Sequence, residues 1–251
     1  MIAGIAVWVI ATFSAIGVYA PILFWVRALQ VLLLLLVVPF LLALARPVAM
    51  LCATSEPVDR FVQAALSTKA MRVVCSPLAT SAAMLATPWL LYLTPWYVAS
   101  MTGPPAVATG LLLVAVGFGY FYTRLQTDRV PQLFSPLLSI GITVVESLAD
   151  GLLGVVLWLG PLIATDYYAS LHRDWGPSPR TDQSIGAGIL WIVADVLSIP
   201  FVLVLMRQLG THERRRAAAV DAELEEAAAQ PEPAPALWWE NDPQLRDRFR
   251  T

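Results

Sequence analysis

Glu146 and Asp150 stand one helical turn apart inside an apolar stretch that runs from Ser135 to Ala164. Residues four apart stack on one helix face, so the two carboxylates share an environment. Ionisable groups at bilayer depth are costly and ask for a reason, such as an ion, a proton or a partner helix. Asp195 lies in another apolar stretch, and Arg27 lies about a turn and a half below the start of a third. Counted at about 1.5 Å per residue from the segment ends, Glu146 and Asp195 both come out roughly 15 Å deep. Glu146, Asp150, Asp195 and Arg27 therefore form a candidate buried polar cluster. Two carboxylates this close in low dielectric resist ionising together, so one is expected to hold a proton at neutral pH. Two readings stand side by side. One is cation binding or proton relay; the other is hydrogen-bonded glue between helices, with Arg27 snorkelling to the surface.

A second constellation joins Met50 and Cys52 to Met71 and Cys75. Thioether and thiolate ligands suit Cu(I), but Met and Cys are also ordinary packing residues. Both cysteines fall at the same mouth of the molecule, on the side where thiols stay reduced, so a disulfide is not expected. The two histidines, His172 and His212, are too far apart in the expected topology to share a site. No catalytic triad, zinc-binding His pair, Cys-x-x-Cys or phosphate loop is present, and no enzyme is expected.

The elements that must position these residues follow from composition. The chain has 251 residues, of which 58% are hydrophobic and 14% charged. A soluble domain carries about 25% charge, so the deficit predicts a membrane protein. A net charge of −2 offers no footprint for nucleic acid. Six stretches are long enough to cross a bilayer: Ile2–Ala20, Ile22–Ala45, Leu78–Ala99, Ala106–Thr123, Pro136–Ala164 and Ser184–Leu209. The first lacks a leading basic residue and does not read as a signal peptide. The expected fold is all-α, a polytopic bundle of about six transmembrane helices in the plasma membrane.

Basic residues orient the bundle, because they concentrate on the cytoplasmic side. With both termini inside, thirteen of the sixteen fall on that side, among them Arg124 and Arg129, which are counted in the loop before the fifth stretch. Only Arg27, Arg173 and Arg180 lie elsewhere. The fifth stretch is too long for the membrane and is expected to tilt, project or break, with Gly151, Gly154 and Gly160-Pro161 as the expected points. Residues 57–66 predict a short amphipathic helix at the inner surface. Three parts are expected: a membrane domain over 1–210, a charged helix over 211–230, and a Pro-rich linker with a Trp/Arg tail over 231–251. The tail holds Trp238 and Trp239 and suits an interfacial anchor or a partner-binding tag, with a loosely ordered tail as the equal alternative.

The run D-Q-S-I-G-A-G-I-L-W at 182–191 resembles the Asp-Gln-x-x-Gly-Gly-x-x-x-Trp segment of the CtaG-type cytochrome c oxidase assembly proteins. Asp182, Gln183, Gly186 and Trp191 keep the pattern, with Ala187 in place of the second Gly. Earlier in the chain, Gln30 and Pro39 keep the spacing of the family's second span, and C-S-P-L-A-T-S, Y-L-T-P and D-R-V-P resemble later segments. The similarity covers roughly residues 22–221. It implies a role in oxidase assembly, copper as the cargo, oxidase subunits or other assembly factors as partners, and membrane histidines as ligands. Those histidines are replaced. Arg27 and Val31 stand at the His-x-x-x-His of the second span, Ser76-Pro77 at a His-Pro pair, and Asp150 aligns with a histidine of the fifth. The resemblance thus implies a divergent member acting by partner binding; a proton- or cation-coupled carrier built on the carboxylates is the alternative.

Overall fold

The computed structural model describes residues 1–53, 55–126 and 136–229, with backbone alone at 136–140, 150, 212, 215 and 227–229. Within lipid, an unpaired backbone group costs several kcal/mol, so apolar segments close their own hydrogen bonds as helices. Among the described residues every regular element is helical. The principal helices are α1 (Ile2–Tyr19), α2 (Phe24–Leu44), α3 (Pro77–Leu93), α4 (Gly103–Leu125), α5 (Pro136–Leu159) and α6. The last runs over Pro179–Gly188, a π-turn at Ile189–Val193, and Ala194–Ala229.

Five of the six are long and apolar enough to cross a membrane, which makes this a multi-pass helical membrane protein. The exception is α3, a shorter apolar helix of 17 residues. The stretch expected to run from Leu78 to Ala99 is cut at Thr94, which adopts an extended conformation before a separate turn at Trp96–Ala99. A residue preceding proline is pushed out of the helical region, and Pro95 follows Thr94.

α2 forms the centre of the first compact unit, Met1–Met206. Its Val31 and Val38 are fully buried. Pro39 lacks an N–H, and its ring would meet the carbonyl four residues back; the π-turn at Leu33–Val37 accommodates this. A Cβ on Gly117 of α4 would lie 2.1 Å from the Leu35 carbonyl oxygen and 2.7 Å from the Pro39 ring. The two helices therefore pack backbone to backbone, as small residues permit in lipid. α1 is broken at Ser14, whose hydroxyl accepts the Ile16 N–H, and exposes Ile2 and Phe13 to the surface that lipid would cover.

The second π-turn carries Trp191, which lies over α5. A Cβ on Gly151 would come within 2.9 Å of the Trp191 indole nitrogen, and one on Gly154 within 2.8 Å of its Cβ. The expectation that these two glycines break the fifth stretch is corrected. α5 runs through both and ends at Leu159, ahead of Gly160-Pro161. The glycines are seats for an indole.

The inner connection between α2 and α3 forms three short helices, Pro47–Cys52, Glu56–Ser67 and Lys69–Val74. The middle one covers the predicted 57–66, with Phe61 exposed. The other long connection holds the helix Thr165–Ser170. A second unit begins at Arg207 and, among the described residues, is helical through Ala229. The tail with Trp238 and Trp239, and the D-R-V-P loop, lie outside the described residues.

Candidate functional site

Glu146 is buried on α5 and finds a cation that the sequence reading places in a loop. Arg124, in the last turn of α4 and 2% exposed, donates from Nη2 to Glu146 Oε1 at 3.0 Å. The Tyr120 hydroxyl, one turn before Arg124, donates to the other oxygen, Oε2, at 2.5 Å. Arg124 Nη2 also donates to the Ser81 hydroxyl of α3, and its guanidinium lies 4.3 Å over the Tyr120 ring. Both carboxylate oxygens are thus met by donors, and three helices are tied at one point. Hydrogen bonds to charged groups contribute about 1.5–3 kcal/mol each, more than neutral ones. The signal for Arg124 was present: Tyr120 and Arg124 share a helix face, and a buried carboxylate needs a cation. Counting every arginine near a helix end as a loop charge hid it.

Asp195 joins the same region through a neighbour. The Ser147 hydroxyl donates to Asp195 Oδ1 at 2.5 Å, linking α5 to α6. Glu146, Ser147, Asp195 and Ser198 line a cavity of about 40 Å³ with Thr143 and Tyr120. A cavity of that size with several polar walls has room for a bound water. The Asp150 side chain lies outside the described residues.

Arg27 belongs elsewhere. It is 6% exposed and donates to Gln30 Oε1 at 2.8 Å and to the carbonyl and hydroxyl oxygens of Ser100 at 3.2 and 2.8 Å. Its guanidinium is held by Gln30 and Ser100 within the bundle. Gln30 in turn donates to the Ala11 carbonyl of α1 at 2.8 Å. The pair ties α1, α2 and the Trp96–Ala99 turn together.

The Asp-Gln run at the start of α6 serves two other helices. A helix leaves its first four N–H groups and last four carbonyls unpaired. Asp182 Oδ1 accepts the N–H of Trp25 in the first turn of α2 at 3.0 Å, where a negative group also suits the helix dipole. Gln183 donates to the carbonyls of Leu157 and Pro161 at 2.7 and 2.9 Å and accepts the N–H of Ile163 at 2.8 Å. Arg180 adds donors to the carbonyls of Trp158 and Gly160. Two adjacent side chains therefore cap the start of α2 and the end of α5. Gly186, one turn on, faces the Phe24 ring so closely that a Cβ would lie 2.3 Å from it.

Above this cap lies a cavity of about 560 Å³ lined by Tyr168, His172, Arg173 and Asp182 among others. Its polar walls are largely engaged: Arg173 faces Asp182 at 3.4 Å, and the Tyr168 and Tyr97 hydroxyls meet at 2.7 Å. Burial pushes the Tyr168 hydroxyl well up, so it acts as a neutral hydrogen-bonding group.

Among the described residues, those at the positions the resemblance gives to copper ligands do not fit copper. Among the described residues no three His, Cys, Asp or Glu side chains group as a metal site. Val31 is core, and Ser76 caps α3 by accepting the Ala79 N–H. Met50 is 54% exposed, and burial pushes the Cys75 thiol up. Neither Cys52 nor Cys75 is in a disulfide.

The family model of the cytochrome c oxidase caa3 assembly factors matches residues 2–211. An uncharacterized protein of Mycobacterium bovis and one of Mycobacterium tuberculosis are each 23% identical over 230 residues, covering 87% of this chain. The chain spans about a third of the length of those relatives, 34% in each case. No solved structure matches.

Proposed function

Because this chain belongs to the cytochrome c oxidase caa3 assembly factor family, we propose that it assists oxidase biogenesis in the plasma membrane by binding partner proteins, without carrying copper on membrane imidazoles. The observation behind this reading is the use made of the positions where the resemblance puts histidines. Arg27 ties helices, Val31 fills the core and Ser76 caps α3. Each has a structural task that leaves no ligand behind. Oxidase subunits or other assembly factors are the proposed partners, and no catalysis is assigned to the chain.

Deletion of the gene is expected to lower oxidase activity and the oxidase haem signal, and the full-length protein purified from its own membrane is expected to bring a partner without stoichiometric copper. Copper at one ion per chain, or an unchanged oxidase in the deletion strain, would refute the proposal. A carrier of protons or cations is the second reading, favoured by the small cavity that Glu146 and Asp195 share. It requires that Glu146→Gln or Asp195→Asn abolish function in protein that still folds; full complementation by both would exclude it.

The topology proposed with this function has six crossings, α3 included, and both ends in the cytoplasm. Burial of Arg124 removes one of the thirteen inner cations and leaves twelve against three, so the orientation keeps its support. Single cysteines at Thr211 and at Asp174, in a chain with Cys52 and Cys75 replaced by Ser, are expected to label from opposite sides of sealed vesicles. Labelling from the same side would reject this arrangement.

A further inference from the structure

Between α1, α2 and α4 runs a groove of about 450 Å³. Trp8, Phe13, Leu34, Val107 and Leu111 give it apolar walls, and Arg27, Gln30 and Thr12, whose hydroxyl is spent on the Trp8 carbonyl, are its polar residues. Phe13 and Val107 are 80% and 65% exposed, so the groove borders the surface that meets lipid.

Arg27 makes this groove unlike an ordinary seam between helices. Its hydrogen-bond partners, Gln30 and Ser100, are neutral, and its Nε has no hydrogen-bond partner. Among the described residues Arg124 and Arg173 each face a carboxylate, whereas no ion pair is made by Arg27. A buried guanidinium without an anion is an incomplete pair. Arg27 also sits three residues into α2, about 5 Å from the helix start, near the level where headgroups give way to acyl chains. The surroundings supply one abundant molecule with an anion at that level and an apolar chain below it.

We propose that the groove binds an anionic phospholipid from the surrounding bilayer, one acyl chain lying between α1 and α4 and the phosphate set against Arg27. The lipid completes the charge pair that the chain lacks and fills a face on which α1 is loosely covered. Nothing in this depends on the oxidase assignment.

The test uses full-length protein equilibrated with vesicles of equal parts phosphatidylglycerol and phosphatidylcholine, with retained lipid read by native mass spectrometry after purification. Wild type is expected to retain phosphatidylglycerol severalfold over phosphatidylcholine. Arg27→Lys is expected to keep that preference and Arg27→Gln to lose it. Val107→Trp, on an exposed position, is expected to lower retention of both lipids by filling the groove. Equal retention of the two lipids by wild type overturns the proposal, as does an unchanged preference in Arg27→Gln. Release by inorganic phosphate alone would reassign the site to a free anion and overturn it too. If Arg27→Gln fails to fold, unchanged lipid retention in Val107→Trp is sufficient to reject it.

Discussion

Replacing Arg124 with Ala is expected to destabilise the protein by about 3–5 kcal/mol, because it strands the Glu146 carboxylate in a packed interior. Arg124 and Glu146 are 1% and 7% exposed in their side chains, so solvent cannot take over the lost partner. Tyr120 and Ser81 would lose their common centre as well. Removing both charges in Arg124→Leu/Glu146→Leu is expected to recover most of the loss, since a buried ion pair is often no better than apolar residues of similar size. Denaturant titration of detergent-solubilised protein, followed by tryptophan fluorescence, measures both. A double variant as unstable as the single one would mean that the pair supplies net stability and not merely mutual compensation.

Gly117→Val is expected to have the second large effect. The position where its Cβ would go lies 2.1 Å from a backbone oxygen, and a backbone atom on a helix cannot rotate aside. α4 must move off α2, and overpacking of this kind typically costs about 1–3 kcal/mol, more when the obstacle is backbone. Even Gly117→Ala should lower the unfolding midpoint, whereas Gly119→Ala, two residues on with open space at its Cβ, should not. Thermal unfolding of the three variants tests the contrast. Equal midpoints for Gly117→Ala and Gly119→Ala would show that α2 and α4 do not approach as closely as described.

Much of the architecture was legible because lipid imposes it. Apolar runs of sufficient length must be helical, and five of the six predicted stretches meet the length for crossing. Thr94-Pro95 was a readable stop inside the third, yet an apolar average across Leu78–Ala99 passes over it. The resemblance drew attention to Asp182, Gln183, Gly186 and Trp191, but spacing alone gives no hint that Asp182 and Gln183 cap two other helices, because capping across the molecule depends on which ends come together. The carboxylate cluster was half readable. Glu146 and Asp195 do line one cavity, while the cation beside them is Arg124 and not Arg27. A rule that assigns arginines to loops by their nearness to a helix end has no means of telling a last-turn arginine that faces inward from one that faces water.

The π-turn at Leu33–Val37 has a consequence for how α2 tolerates change. A π-turn holds one residue more than an α-turn, so deleting any one of those five would let the helix relax to a uniform α winding. The segments on either side would keep their phase, because the π-turn already takes up the residue that would otherwise rotate them by about 100°. Arg27 and Gln30 would stay opposite Ser100 and Ala11. The Pro39 ring, however, would then meet the carbonyl four residues back in a regular helix. A deletion in the regular winding outside the turn has the opposite effect, turning one segment against the other. Within this stretch one residue can be spared, and the proline bears the cost.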